Sequence, residues 1–340
     1  PILGVHFKTT ETTAMGSHIF LTSKKNFKPC LERGIYGGID HHSEKVRAEV
    51  IAGFKGIRKG DFVFFYVKGA GIYGLWKVAS VPFYDETRIW ENPDYIYPYR
   101  VCVEPTLRHF PHPVELSDVY DLRDKGKIWT FDLGIMIKKS HYPITTEESK
   151  EIIRLLLRNN PISEPIQPTQ DPYQPKGTEI VISYETTPEG FLQYEGYLNA
   201  WFMSGFAKGA LRELVGDYSD YLNYVPTSFN TVMDIFLTHI TKVEDIDILH
   251  KFTCIELKTG LCDGRDLEQI VKYENWLTRK LAAGDTEMIQ SILIGYDFSE
   301  KVLGYVQERK KIEKKTVRLV RYRLNAAKND LVLNEIGTSG

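Results

Sequence analysis

The hydrophobic rhythm of the chain changes about half-way along. Residues 17–145 carry short apolar stretches, HIFLTS, DFVFFYV, IYGLWKVASV and YPYRVCVEP, punctuated by Gly, Pro and Asn. Their β-branched and aromatic content is that of strands. The turn KGAG makes a hairpin of the second and third. Several short strands at this spacing predict a compact, partly closed barrel. TTEESKEIIRLLLRNN then reads as a helix capped by Thr145 or Thr146, with acids in its first turn and Arg154 and Arg158 towards its end.

Prolines 161, 165, 168, 172 and 175 exclude helix and central strand from residues 159–177, which predicts an extended linker. Beyond it the period becomes helical. In PEGFLQYEGYLNAWFMSG, Phe191, Leu198 and Phe202 form an apolar stripe, and Glu195 falls on it. Two strands, a helix and further strands follow, an α/β pattern on a mixed sheet. The expected fold is thus α+β to α/β: a barrel-containing domain over 17–158, the linker, and a mixed-sheet domain over 178–330.

Composition adds limits. With 340 residues, 42% hydrophobic and 26% charged, the chain suits two ordinary globular domains. No apolar run approaches the roughly 18–20 residues that span a bilayer. Residues 1–16 lack the basic start and apolar core of a secretory signal. Cys30, Cys102, Cys254 and Cys262 show no C-x-x-C spacing, which argues against a disulfide framework or structural zinc and fits a cytoplasmic protein. The net charge of −2 does not favour nucleic acid, so any basic surface must be local. One candidate is the run from Arg309 to Arg323, where only Glu313 opposes Lys and Arg; it reads either as a phosphate-tracking surface or as a charge-protected edge strand. Asp40-His41-His42 has no spaced partner and reads as a surface turn, and GAGIYG joins two strands, so it is no dinucleotide fingerprint.

FTCIELKTG carries the most chemistry. As a strand it puts Cys254, Glu256 and Lys258 on one face, and a carboxylate beside an amine suits metal-assisted phosphodiester hydrolysis. Upstream, TVMDIFLTHI places Val232, Asp234 and Phe236 on a common face. A hairpin centred near residue 245 sets Asp234 across from Glu256. The competing acid, Asp247, requires a tight turn near His250-Lys251, which lacks the Gly or Asn favoured there, so Asp234 is preferred. In the helix GRDLEQIVKYENWLTRKL, Gln269, Tyr273, Trp276 and Lys280 form one stripe.

An acid in an opening helix, Asp in a strand, Glu-x-Lys in the next and Gln in a following helix resemble the PD-(D/E)XK nuclease superfamily over about residues 188–323. The resemblance implies Mg2+ held by Asp234 and Glu256, Lys258 as catalytic lysine, Gln269 as a supporting polar group and Glu195 as the opening-helix acid. The Pro that often precedes the family's Asp is Met233 here.

SHIFLTSKKNF, ERGIYGG, the run from Ile57 to Asp85, RIWE and YPYRVCVE resemble an EVE domain of the PUA-like group. That resemblance implies a reader that holds a modified base in an aromatic pocket, with Ser23, Asn26, Tyr36 and Trp76 near it; Tyr36 stands where the family often has Trp. Together the two resemblances imply a restriction-type DNA endonuclease. Its partner would be double-stranded DNA bearing a modified cytosine, and it would act as a homodimer because both strands are cut. An RNA-processing nuclease and a catalytically inactive nucleic-acid-binding protein are the rival expectations.

Overall fold

The computed structural model describes residues 15–92, 94–133 and 139–337. The chain divides into two units, one ending at Val181 and one beginning at Ile182.

The first unit contains β1 (Ser17–Thr22), α1 (Lys24–Arg33), β2 (Ile35–Gly38), α2 (Glu44–Lys55), β3 (Phe62–Val67) and β4 (Gly71–Val78). It continues with β5 (Phe83–Tyr84), β6 (Tyr99–Pro105), α3 (Leu116–Asp124), β7 (His141–Ile144), α4 (Thr146–Asn159) and β8 (Thr178–Glu179). Strand order is β7-β1-β3-β4-β6-β5-β8, with β2 also on β6. Among the described residues only β1 and β3 run parallel in this unit. The expected barrel is not found: among the described residues no ladder joins β7 to β8. The cause lies in β6, whose end at Val103–Pro105 pairs with β4 while Tyr99–Cys102 pairs with β2 and β5. One strand thus serves three ladders, with β4 at one end and with β2 and β5 at the other.

The apolar face of α4 (Ile152, Leu155, Leu156) packs with Ile19, Phe64, Ile72 and Tyr142 in the core. Its cap is a full capping box. Thr145 Oγ1 accepts from the Glu148 amide, and the Glu148 carboxylate accepts from the amides of Thr145, Trp129 and Thr130.

Residues 159–177 do not hang free as a linker. The Asp171 and Tyr173 amides donate to the carbonyls of Glu32 and Arg33 at 2.9 and 2.8 Å. Tyr173 is buried, and its hydroxyl donates to Asp85 at 2.6 Å beside Arg100. Five residues on, β8 pairs with β5. Proline forbids helix and central strand but allows an extended pass along an edge.

The second unit contains α5 (Glu195–Ala207), α6 (Arg212–Val215), β9 (Asp220–Pro226), β10 (Val232–Val243), β11 (Ile246–Leu257) and β12 (Leu261–Cys262). It ends with α7 (Gly264–Lys280), β13 (Ile289–Gly295), β14 (Asp297–Phe298), α8 (Glu300–Glu313), β15 (Arg318–Leu324) and β16 (Leu331–Glu335). Its main sheet, β16-β15-β13-β11-β10-β9, is mixed: β11, β13 and β15 are parallel and the rest antiparallel. Alternation divides the sheet's faces. Ile235, Leu237, Ile255, Leu257, Ile292 and Ile294 pack under Leu198, Phe202 and Phe206 of α5. Cys254 and Ser291 point the other way, where Ser291 donates to Glu274 of α7.

The helix expected from residue 188 begins only at Glu195, because Gly190 turns the chain with φ of 89° and Leu192 bridges back to Thr186. The β10–β11 hairpin outruns its neighbours. β9 pairs only as far as Thr238 and β13 only from Phe252, so residues 239–250 project as a two-stranded arm with Val243, Ile246, Ile248 and Leu249 exposed.

Candidate functional site

The hairpin pairs Ile235 with Ile255, so Asp234 and Glu256 occupy the next rung of the ladder. Both are buried, Glu256 at 1% exposure and Asp234 at 7%. Asp234 Oδ2 accepts from the Leu257 amide at 2.8 Å. Lys258 follows β11, its amide tied to the Ile294 carbonyl at 2.8 Å. Its Nζ lies 2.6 Å from Glu256 Oε1, 2.9 Å from the Leu257 carbonyl and 3.4 Å from Glu195 Oε2. Glu195 is the first residue of α5. Four residues from three separate elements, Asp234, Glu256, Lys258 and Glu195, are therefore brought together.

Electrostatics here are set by burial. Desolvation, then the charges of Glu256 and Glu195, hold the Asp234 carboxyl well above its usual range. Burial lifts Glu256 to about 7 despite the attraction of Lys258. Burial alone would lower the Lys258 ammonium, but the surrounding carboxylates outweigh it and keep it protonated. Glu256 Oε2 is buried without a hydrogen-bond partner. Such an orphaned oxygen beside a second carboxylate fits a hard divalent cation. Among the described residues no group of three His, Cys, Asp or Glu is gathered for a metal. Asp234 and Glu256 are the two carboxylates that could hold such a cation, and Mg2+ commonly takes one or two carboxylates plus water and phosphate oxygens.

The remaining candidates fall elsewhere. Asp247 pairs with Lys242 in the exposed arm, away from Glu256. The helix α7, started by an Asp263–Asp266 capping box, points Gln269 at Tyr273: Gln269 Nε2 donates to the Tyr273 hydroxyl at 2.7 Å, which donates to the Val232 carbonyl at 2.9 Å. Gln269 thus steadies the entry to β10 and does not touch the carboxylates. The basic run is largely committed to structure. Arg309 is buried against Glu274 and Glu313, Lys315 reaches Glu274, Arg318 pairs with Glu335 and Arg321 with Asp297. Sequence reasoning missed Asn199 and Asn223, two buried amides behind Asp234. The available signal was the spacing of Asn199, four residues after Glu195.

In the first unit a cavity of about 480 Å³ is lined by Ser23, Asn26 and Tyr36, as expected, but not by Trp76. Trp76 stands edge-on to Phe65 at 5.1 Å and borders a separate cleft of about 290 Å³. The Tyr36 ring is sandwiched between Phe20 and Phe54, at 4.1 and 6.3 Å, and its hydroxyl donates to the Leu21 and Ser140 carbonyls. Little of that ring is offered to a base, since the residue is 2% exposed. Ser23 Oγ caps α1 by accepting from the Asn26 amide. Tyr66, Trp90 and Tyr97 also line the cavity, the last two in T-shaped contact at 5.3 Å. Arg100 lies 5.6 Å from the Trp90 ring, and a Cβ at Gly37 would come within 2.8 Å of it, so glycine is what lets the indole close over β2. Asn92 and Asn26 donate to the Tyr97 hydroxyl at 2.9 and 3.5 Å.

An EVE domain model matches residues 43–155. No curated protein matches. Solved structures similar to part of the chain include a hypothetical protein from Leishmania major, at 15% identity and a TM-score of 0.33, covering 42% of this chain and 96% of that one. A protein from Agrobacterium tumefaciens is 20% identical with a TM-score of 0.29, covering 46% and 99%. The YTH domain of a Zygosaccharomyces rouxii protein, in complex with N6-methyladenosine RNA, is 16% identical with a TM-score of 0.28, covering 46% and 92%. No helix among the described residues is long and apolar enough to cross a membrane. The chain carries an N-terminal EVE domain of the PUA-like group, matched over residues 43–155, followed by a second, mixed-sheet α/β domain.

Proposed function

We propose that the chain is a Mg2+-dependent DNA endonuclease of restriction type, directed by a modified base bound in its EVE domain. The observation that carries this reading is the buried Asp234–Glu256 pair, with Glu256 Oε2 orphaned and Lys258 alongside. Two buried carboxylates beside one ammonium resist ionising together, and a bound cation would remove that cost. When bound, Mg2+ supplies Lewis acidity and a water of lowered pKa. Lys258, kept protonated, donates to a phosphate oxygen or to the attacking water and counters charge that grows in the transition state. Glu195 holds the ammonium from the α5 side.

The EVE match supports nucleic-acid binding by the first domain. A volume of about 480 Å³ lies within the ordinary range of ligand pockets. Trp90 and Tyr97 offer stacking surfaces, Asn26 and Asn92 offer amides for a base edge, and Lys25, Lys68 and Lys139 suit flanking phosphates. A modified cytosine in duplex DNA is the proposed target, and a homodimer would supply the two active sites that cutting both strands requires. The test is digestion, with Mg2+, of one duplex sequence carrying cytosine, 5-methylcytosine or 5-hydroxymethylcytosine, beside a structured RNA. Modification-dependent cutting that is lost in Lys258→Ala is the expected result. Cutting of RNA alone would reassign the substrate, and no cutting of any of them would refute the nuclease reading.

A further inference from the structure

Helix α5 is buried nearly all round, and Asn199 sits in its middle at 1% exposure between Leu198 and Ala200. A buried amide is costly unless its hydrogen bonds are made. Those of Asn199 go to particular places. Its Nδ2 donates to the main-chain oxygen of Asp234 at 3.2 Å, and its Oδ1 accepts from Nδ2 of Asn223 on β9 at 3.1 Å. The Asp234 carbonyl has reason to need this donor. The β9–β10 ladder pairs Met233 with Val225 and Ile235 with Asn223 but skips Asp234, and the intervening Tyr224 has a φ of 56°. A tyrosine in the left-handed region is strained, and such strain persists only where its surroundings enforce it.

The bonds continue on the far side of Asp234, whose side chain accepts from the amide of Leu257, between Glu256 and Lys258. One chain of polar contacts therefore runs from β9 through α5 to β10 and on to β11. Glu195 stands one helical turn before Asn199, on the same face of α5. Apolar packing alone gives a helix little axial register, whereas an amide bond is directional.

Resting on the nuclease reading, we infer that Asn199, backed by Asn223, is a positioning residue. It fixes α5 so that Glu195 meets Lys258, and it fixes β10 so that Asp234 meets Glu256. It touches neither substrate nor reacting atoms.

The test compares the full-length wild type with Asn199→Leu, Glu195→Gln and the double variant, scoring DNA cleavage and, without DNA, Mn2+ binding by electron paramagnetic resonance. Asn199→Leu should slow cleavage about ten- to a hundredfold, the scale of an ångström-sized misplacement. Mn2+ affinity should fall about tenfold, as for other outer-shell groups behind a metal ligand. Because part of the effect passes through Glu195, the double variant should be less impaired than the product of the two single losses. Should Asn199→Leu not fold, Asn223→Ala carries the test, with losses in the same direction. Wild-type cleavage and Mn2+ binding in a folded Asn199→Leu, or losses that multiply fully, would overturn the positioning role alone. A wild type that neither binds Mn2+ nor cuts would overturn the nuclease reading, and this inference with it.

Discussion

Replacing Glu256 by Gln removes the charge and keeps the shape, which makes it a measure of what the buried carboxylate costs. Burial moves this group from 4.5 to about 7, a value that already includes its attraction to Lys258. Ionising it in the folded state is therefore harder than in the unfolded chain by about 3 kcal/mol. At 1% exposure, little solvent screening softens that figure. Below pH 4.5 the group is neutral in both states and contributes no difference. As pH rises from 4.5 to 7 the unfolded chain ionises first and is favoured, so metal-free wild type loses stability across that window. Asp234 is raised by the same burial and deepens the loss. Glu256→Gln escapes its own share, so it should match wild type near pH 4.5 and exceed it by about 3 kcal/mol at pH 8. Mg2+ should all but close that gap at pH 8: a ligand at a hundred times its Kd stabilises by about 2.7 kcal/mol, and only wild type retains both carboxylates to bind it. Urea unfolding of both proteins at pH 4.5 and 8, with and without Mg2+, measures all four quantities. A gap between the two proteins that stays constant with pH would refute the reasoning, because it would mean that Glu256 ionises as freely folded as unfolded.

The other predictions concern separate parts of the molecule. Lys258→Met should lower cleavage by about 10²–10³-fold, the scale of a lost transition-state donor, with DNA affinity retained in filter binding; Asp247→Asn, out on the arm, should cut at the wild-type rate. Trp90→Ala or Tyr97→Ala should each weaken binding of the modified duplex by about 1–3 kcal/mol in fluorescence anisotropy, while Trp76→Ala leaves it unchanged. Tyr173→Phe deletes the donor to buried Asp85 and should destabilise the first domain by about 1.5–3 kcal/mol in urea titration. For the same reason a fragment of residues 14–181 should unfold at higher urea than one of 14–160.

What could be read in the sequence was whatever depends on short-range pattern. Alternation along TVMDIFLTHI and FTCIELKTG located both strands, and the lack of turn residues at His250-Lys251 selected the hairpin that puts Asp234 and Glu256 on adjoining strands. The helix over Gly264–Lys280 and the capped helix over Thr146–Asn159 follow from caps and period. Less legible was anything fixed by distant packing. Tyr36 and Trp90 both line the cavity, and only the three-dimensional stacking of Phe20 and Phe54 on Tyr36 shows that its ring is engaged in the core as well. The run Arg309–Arg323 looks like a phosphate surface until its partners are known, and Glu274, Asp297 and Glu335 lie up to 41 residues away. The segment with five prolines gave no hint that Tyr173 would lodge beside Asp85, 88 residues earlier.

The projecting arm has a consequence for motion. Over residues 239–250 each strand of the hairpin has only the other as a partner, and an isolated two-stranded ribbon is marginal in water. Its amides should exchange with solvent deuterium through frequent local opening, while those of residues 252–257, hemmed in on both sides, should exchange only in rare, larger unfolding events. The change of regime falls at the register shift between His239 and Ile240. There the His239 ring is fully buried, bridging the Asp217 carbonyl and Thr253 Oγ1, and burial holds it down to about 4, so it stays neutral at ordinary pH. The imidazole acts as a rivet across the ribbon: fraying that starts at the tip stops there, five residues short of Asp234 on one strand and at Thr253, three short of Glu256, on the other.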